Sequence, residues 1–200
     1  MKKSVAFLGL MMVFAAGSAF ANTQATNTNT VSPTLKVNVT VQDAIQLTLS
    51  TGTMCAVSAG SGTDYAVTFG NVDALAINTA SCGNKFAPTT PGTTSSAYYT
   101  DYQVTPIFTS QAVSTNTITA YVSSNFAKAN LSVVQSTASP AAIANLTAMS
   151  TAVGAQTNVA TNATSGTALT RYVGVAVAPT NGAGLTGADA ATITYTLTVQ

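Results

Sequence analysis

Histidine, glutamate and tryptophan are absent from this 200-residue chain, and only 6% of it is charged. Without histidine, the Ser-His-Asp and Cys-His arrangements and the HExxH metal motif are excluded. Without glutamate, a pair of catalytic carboxylates must come from Asp43, Asp64, Asp73, Asp101 and Asp189, which are scattered and sit in no acid–base motif. The chain therefore reads as a non-enzyme with no cofactor. No basic patch exists to neutralise phosphates, which argues against nucleic acid as a partner. The same scarcity of charge removes much of the repulsion that keeps soluble copies apart, a hint of assembly.

Long apolar runs are also missing, with one exception. Lys2 and Lys3 precede an apolar run from Val5 to Ala16, and Ala19-Phe20-Ala21 forms a small-x-small cleavage site. This is the pattern of a Sec-type signal peptide over residues 1–21, and the run is shorter than the ~20 residues a spanning helix needs. The expectation is an exported protein of the periplasm, cell surface or extracellular space, with no membrane span. Only Cys55 and Cys82 are present. In an oxidising compartment two cysteines pair, and the bridge contributes roughly 3–4 kcal/mol in the chain-entropy model. A zinc site is the poorer alternative, since two thiolates without histidine do not complete a tetrahedral shell.

What the chain has instead is threonine, 36 residues of it. Threonine is stiff at χ1, suits strands, and keeps an outward face wet without charge. Residues 22–33 are polar, lack a hydrophobic period and end in proline, so they read as a flexible arm before a single domain over residues 34–200. Leu35, Val37, Val39 and Val41 alternate with Lys36, Asn38, Thr40 and Gln42, as in a half-buried strand. Asp43 then falls on the apolar side, which predicts a bend, bulge or break near Asp43 and Ala44 before Ile45, Leu47 and Leu49 resume the same phase.

Shorter strand candidates follow at Tyr65-Val67-Phe69, Tyr102-Val104, Ile118-Ala120-Val122, Leu131-Val133 and Val173-Val175-Val177. The last strand is the cleanest, with Ile193, Tyr195, Leu197 and Val199 on one face and Thr192, Thr194, Thr196 and Thr198 on the other. Many short strands separated by turn residues predict an all-β sandwich. Ser139-Pro140, then Ile143, Leu146 and Met149, then Gly154, predict one short helix or helical turn near 140–153. Residues 154–170 read as the main loop.

The remaining chemistry-bearing residues have mainly structural readings. Asp64, Asp73 and Asp101 read as solvated turn aspartates, with a calcium site conceivable but lacking DxDxDG spacing. Tyr98, Tyr99 and Tyr102 read as buried by alternation, with stacking on sugars or partners as the functional alternative. The closing threonine row reads as an ordinary wet strand face, because an ice-binding ladder would need neighbouring strands to repeat it and only Thr115-Thr117-Thr119 offers a second row.

Two stretches are familiar. Cys55-Ala56-Val57-Ser58, Phe69-Gly70-Asn71-Val72-Asp73 and Cys82 resemble the C-x-V-S, F-G-x-x-D and second-cysteine pattern of the spore coat U domain shared by archaic chaperone-usher pilins. The strand from Asp189 to Val199 is similar to that family's closing strand. The resemblance implies an immunoglobulin-like antiparallel β-sandwich lacking one strand, completed by the N-terminal arm of the next subunit after a periplasmic chaperone and usher have handled it. Leu35, Val37, Val39 and Val41 would be the donor plugs, and Ile193, Tyr195, Leu197 and Val199 the chaperone-facing edge. Partners would be further copies or homologous subunits. Gly187-Ala188 stand where the family carries a tyrosine, and the interval before Cys55 is long. A self-complete sandwich, with residues 35–41 pairing in their own domain, is thus the structural alternative. Its functional counterpart is a stand-alone adhesin or carbohydrate-binding module.

Overall fold

In the computed structural model, residues 36–40, 44–55, 58–60, 63–109, 115–182 and 184–200 are described. The chain divides into two units, Met1–Val41 and Gln42–Gln200. In the first, residues 36–40 carry no regular secondary structure and lie exposed, Val37 at 74% and Val39 at 79%. Among the described residues of this alternating segment no strand forms.

The second unit is all-β and antiparallel. Its strands are β1 (Ala44–Thr51), β2 (Ser58–Gly60), β3 (Thr63–Ala66), β4 (Asn84–Phe86), β5 (Ser96–Thr109), β6 (Asn116–Ser124), β7 (Leu131–Ser136), β8 (Thr147–Ala148), β9 (Thr157–Thr161), β10 (Leu169–Val177) and β11 (Thr192–Val199). A six-stranded sheet runs β1-β5-β10-β7-β8, with β4 also on β5. A three-stranded sheet runs β11-β6-β9, and β2 pairs with β3. Among the described residues no helix is long and apolar enough to cross a membrane.

Alternation builds the core between the two larger sheets. On β6, Ile118, Ala120 and Val122 face inward with Thr117, Thr119 and Tyr121 opposite; on β5, Tyr102 and Val104 do the same from the facing sheet. Val133, Met149, Val159 and Ala160 close the centre. A second, smaller core holds Ala76, Tyr98, Val175 and Val177 under the segment that carries Phe69, Val72 and Ala80. At ~1.5–3 kcal/mol for each large apolar side chain fully buried, these two clusters supply the main drive to fold.

Three local expectations need correction. The predicted helix is a single 3-10 turn, Ile143–Asn145. The Asn145 side chain accepts from the Ala141 and Ala142 N–H groups, and Leu146 N–H returns to the Ile143 carbonyl. The chain then re-enters the sheet, Thr147–Ala148 pairing with Val134 and Gln135, so Met149 reaches the core from extended chain. Residues 154–170, expected as a loop, contain β9. Val159 and Ala160 are adjacent yet both buried, because the register shifts between Ile118 and Thr119, and a bulge of this kind erases the two-residue period. The strand expected through Tyr65, Val67 and Phe69 ends at Ala66, and Phe69 packs under the second core.

Candidate functional site

Two features stand out on the second unit, a disulfide-stapled segment and an open seam. The stapled segment runs from the end of β1 to β4. Cys55 and Cys82 are bonded, their Cα atoms 5.2 Å apart. Asp101 of β5 is only 3% exposed and accepts from Thr53 N–H, Thr53 Oγ1 and Met54 N–H, each at 2.7 Å. Burial pushes the Asp101 carboxyl up, but the Thr53 and Met54 backbone donors and the Thr53 hydroxyl outweigh it and hold it below the usual value. Gly52 is required here, since a Cβ would run into the Asp101 carboxylate.

Asp73 does the same for the next turn. Its carboxylate accepts from Leu75, Ile77 and Asn78 N–H and from the Tyr98 hydroxyl at 3.1 Å. Its carbonyl accepts from Ser96 Oγ at 2.6 Å. Burial raises this carboxyl, and the Asn78, Ile77 and Leu75 donors more than offset that, so it too lies low. Gly70 of the same motif has φ +73°, a conformation only glycine adopts freely, and its neighbour Phe69 accepts from Ser81 N–H beside Cys82. The F-G-x-x-D residues thus fold the segment; Asp73 and Asp101 are buried or half-buried acceptors, which corrects the expectation of solvated turn aspartates. A buried carboxylate in the middle of β5 had no sequence signal. Among the described residues no three His, Cys, Asp or Glu side chains gather as a metal site would require.

The tyrosine cluster is buried. Tyr98 is fully enclosed, Tyr99 stacks on Phe86 at 5.0 Å, and Tyr102 meets Tyr195 edge to face at 5.9 Å, the Tyr195 O–H donating to Tyr102 at 3.0 Å. Burial raises both of these phenols, Tyr195 the more because Tyr102 lies against it. Thr196 and Thr198 do lie directly across from Thr119 and Thr117, and Thr117 across from Thr161, on the outer face of the three-stranded sheet.

The seam lies where the first and last strands come together. β1 is one edge of the six-stranded sheet and β11 one edge of the three-stranded sheet, and the two are in contact. Ile193, Tyr195, Leu197 and Val199 point inward from β11, opposite Val122, Ala120, Ile118 and Asn116 of β6. Leu47 and Leu49 point inward from β1. All six are only partly buried, although their β5 and β6 neighbours Val104, Ile118 and Ala120 are fully enclosed. Ile45, next in the same phase, is 57% exposed. Among the described residues no strand pairs with the outer side of β1 or β11. Of the expected donor residues, Val37 and Val39 are exposed, while Leu35 and Val41 lie outside the described residues. Sequence reading pointed to β11; it did not single out Leu47, Leu49 or Ile45 as the other wall.

No protein-family model matches the chain, nor does any curated protein or solved structure.

Proposed function

We propose that the protein is an exported structural subunit of a surface fibre or coat, and that a strand from another subunit completes its sandwich. One observation carries this reading: two eight-residue edge strands, neither with a charge or a proline, flank one seam with half-covered apolar faces. Long uncharged edges are templates for pairing with another chain, and monomeric proteins blunt them. An incoming strand would gain main-chain hydrogen bonds along the edge and bury alternate side chains in the core. The amino-terminal export signal, the shortage of charge and the spore coat U-like motifs point the same way.

The natural donor is the alternating segment 35–41, and strand parity favours donation between copies. In a hairpin linked by Gln42 and Asp43, Val41 would face Ala44, Val39 would face Gln46 and Val37 would face Thr48. Directly opposed residues share a face, so the valines would lie with Gln46 and Thr48, away from Leu47 and Leu49. A three-residue link through Ala44 restores the parity but takes Ala44 from its pairing with Thr109, and it needs a left-handed residue that Gln-Asp-Ala does not provide well. A second copy has neither constraint. The alternative of a carbohydrate-binding module loses its main support, because the tyrosines that suggested it are in the interior.

Electron microscopy of the native purified protein tests the reading: filaments or ordered arrays are expected. Discrete monomers that neither polymerise nor bind a peptide of residues 34–42 would reject it.

A further inference from the structure

Two tyrosine hydroxyls meet beside the seam and hold two O–H protons between them, but only one is used. Tyr195 donates to Tyr102, and among the described residues neither hydroxyl makes another hydrogen bond. Tyr102 is 7% exposed and sits on β5 opposite Thr51 of β1, while Tyr195 belongs to the open edge of β11. Leu49, Val104, Ile118, Ala120, Ile193 and Leu197 belong to the same apolar cluster, while Thr51 and Arg171 stand across from Tyr102 on β1 and β10, the guanidinium having donors only. A buried O–H without an acceptor is costly, and native interiors rarely leave one.

Resting on the reading that a strand fills this seam, we infer that Tyr102 and Tyr195 are specificity-determining residues that favour an incoming strand with Ser or Thr at the inward position over the pair. The hydroxyl oxygen of that residue accepts the spare proton, and its own O–H donates to a remaining tyrosine lone pair or to a main-chain carbonyl. Thr suits the site best, because it keeps the shape of the valine that an apolar plug would bring. A carboxylate would also accept, but its charge is expensive to bury. The inward residues of the segment 35–41 carry no side-chain oxygen, so the same segment with a Thr at that one position binds more tightly than the segment as it stands.

The test uses the full chain with Val37→Asp and Val39→Asp, which disables its own segment, titrated with a synthetic peptide of residues 34–42. Four further peptides replace Leu35, Val37, Val39 or Val41 singly by Thr. One of the four should bind as tightly as the parent peptide or more so, while the other three weaken by about tenfold, the expected loss for a hydroxyl with no partner in an apolar slot. The preference should survive Tyr102→Phe or Tyr195→Phe alone, since either leaves one proton spare, and vanish in the double variant. If all four Thr peptides weaken alike in the Tyr102/Tyr195 protein, the inference is wrong while strand complementation stands. If no peptide binds at all, both fail. Should the double variant not fold, the peptide series on the intact pair decides by itself whether one position is exceptional.

Discussion

The two lateral margins of the sandwich are built on opposite principles. At one, β8 is two residues long and β9 is five residues with a bulge beside it, so neither offers a straight run of free backbone. At the other, β1 and β11 offer eight residues each without a charge or a proline, the pairing of β11 irregular only between Thr192 and Ile193. Protecting an edge is a matter of length, irregularity and charge; the first margin uses shortness and a bulge, while the second keeps two long uncharged strands with a single irregularity at the Thr192 end of β11. The difference shows that the open margin is not a general weakness of a charge-poor chain, since the same sequence closes its other edges effectively.

The sharpest way to break the comparison is to disable the segment proposed to occupy the open margin. Val39→Asp should abolish assembly, because a carboxylate would have to enter an apolar slot, yet leave the melting temperature of the isolated subunit unchanged, since Val39 is 79% exposed. Filament counts by electron microscopy and a thermal melt on the same preparation read both effects. A variant that loses stability as well would mean that the segment pairs within its own domain.

The disulfide affects the closed body of the molecule instead. Cys55→Ser should lower stability by about 3–4 kcal/mol, the loop-entropy value for a separation of 27 residues, and thermal melts under reducing and non-reducing conditions should show the same loss in the parent protein. Non-reducing peptide mapping should recover a single Cys55–Cys82 pair.

Asp101→Ala comes next, at about 2–3 kcal/mol, because it strands the Thr53 and Met54 N–H groups beside β5. The same carboxylates set an acid limit. Asp73, Asp101 and Asp189 all lie below their ordinary value of 3.8 in the folded protein, through donors from Asn78, Thr53 and Lys128 among others. Groups with a depressed folded value contribute stability that is complete above the unfolded value and is lost as pH falls through the folded one. The melting temperature should therefore hold above about pH 5 and fall below about pH 4, and Asp101→Asn should flatten that fall. Smallest of all, Thr196→Ala on the outer face of β11 should shift stability by no more than about 0.5 kcal/mol, since its side chain is exposed and tops no core residue.

Much of the architecture was legible because alternation is a direct consequence of strand geometry. β6, β10 and β11 were predicted from Ile118-Ala120-Val122, Val173-Val175-Val177 and Ile193 to Val199, each a two-residue period in the sequence, and in β6 and β11 burial follows that period. β9 was missed because its bulge puts Val159 and Ala160 on the same side, and a helix was expected near residue 143 because three-residue spacing over so short a stretch does not separate a helix from a turn followed by a strand. Asp101 looked like a loop residue because nothing in its neighbours announces that Thr53 and Met54, some 48 positions earlier, supply its donors.

The sequence by itself determined the all-β character, the bonded cysteine pair and the inward and outward faces of β6 and β11. These follow from local rules: a branched side chain restricts its own backbone, and alternation needs no knowledge of distant residues. Only the tertiary structure decided that the first and last strands meet at one margin, that Leu47 and Leu49 share it with Ile193, Tyr195 and Leu197, and that the tyrosine pair lies against it. Those are matters of strand order and register, set by contacts between residues more than a hundred positions apart, and no local pattern encodes which edges will be left open.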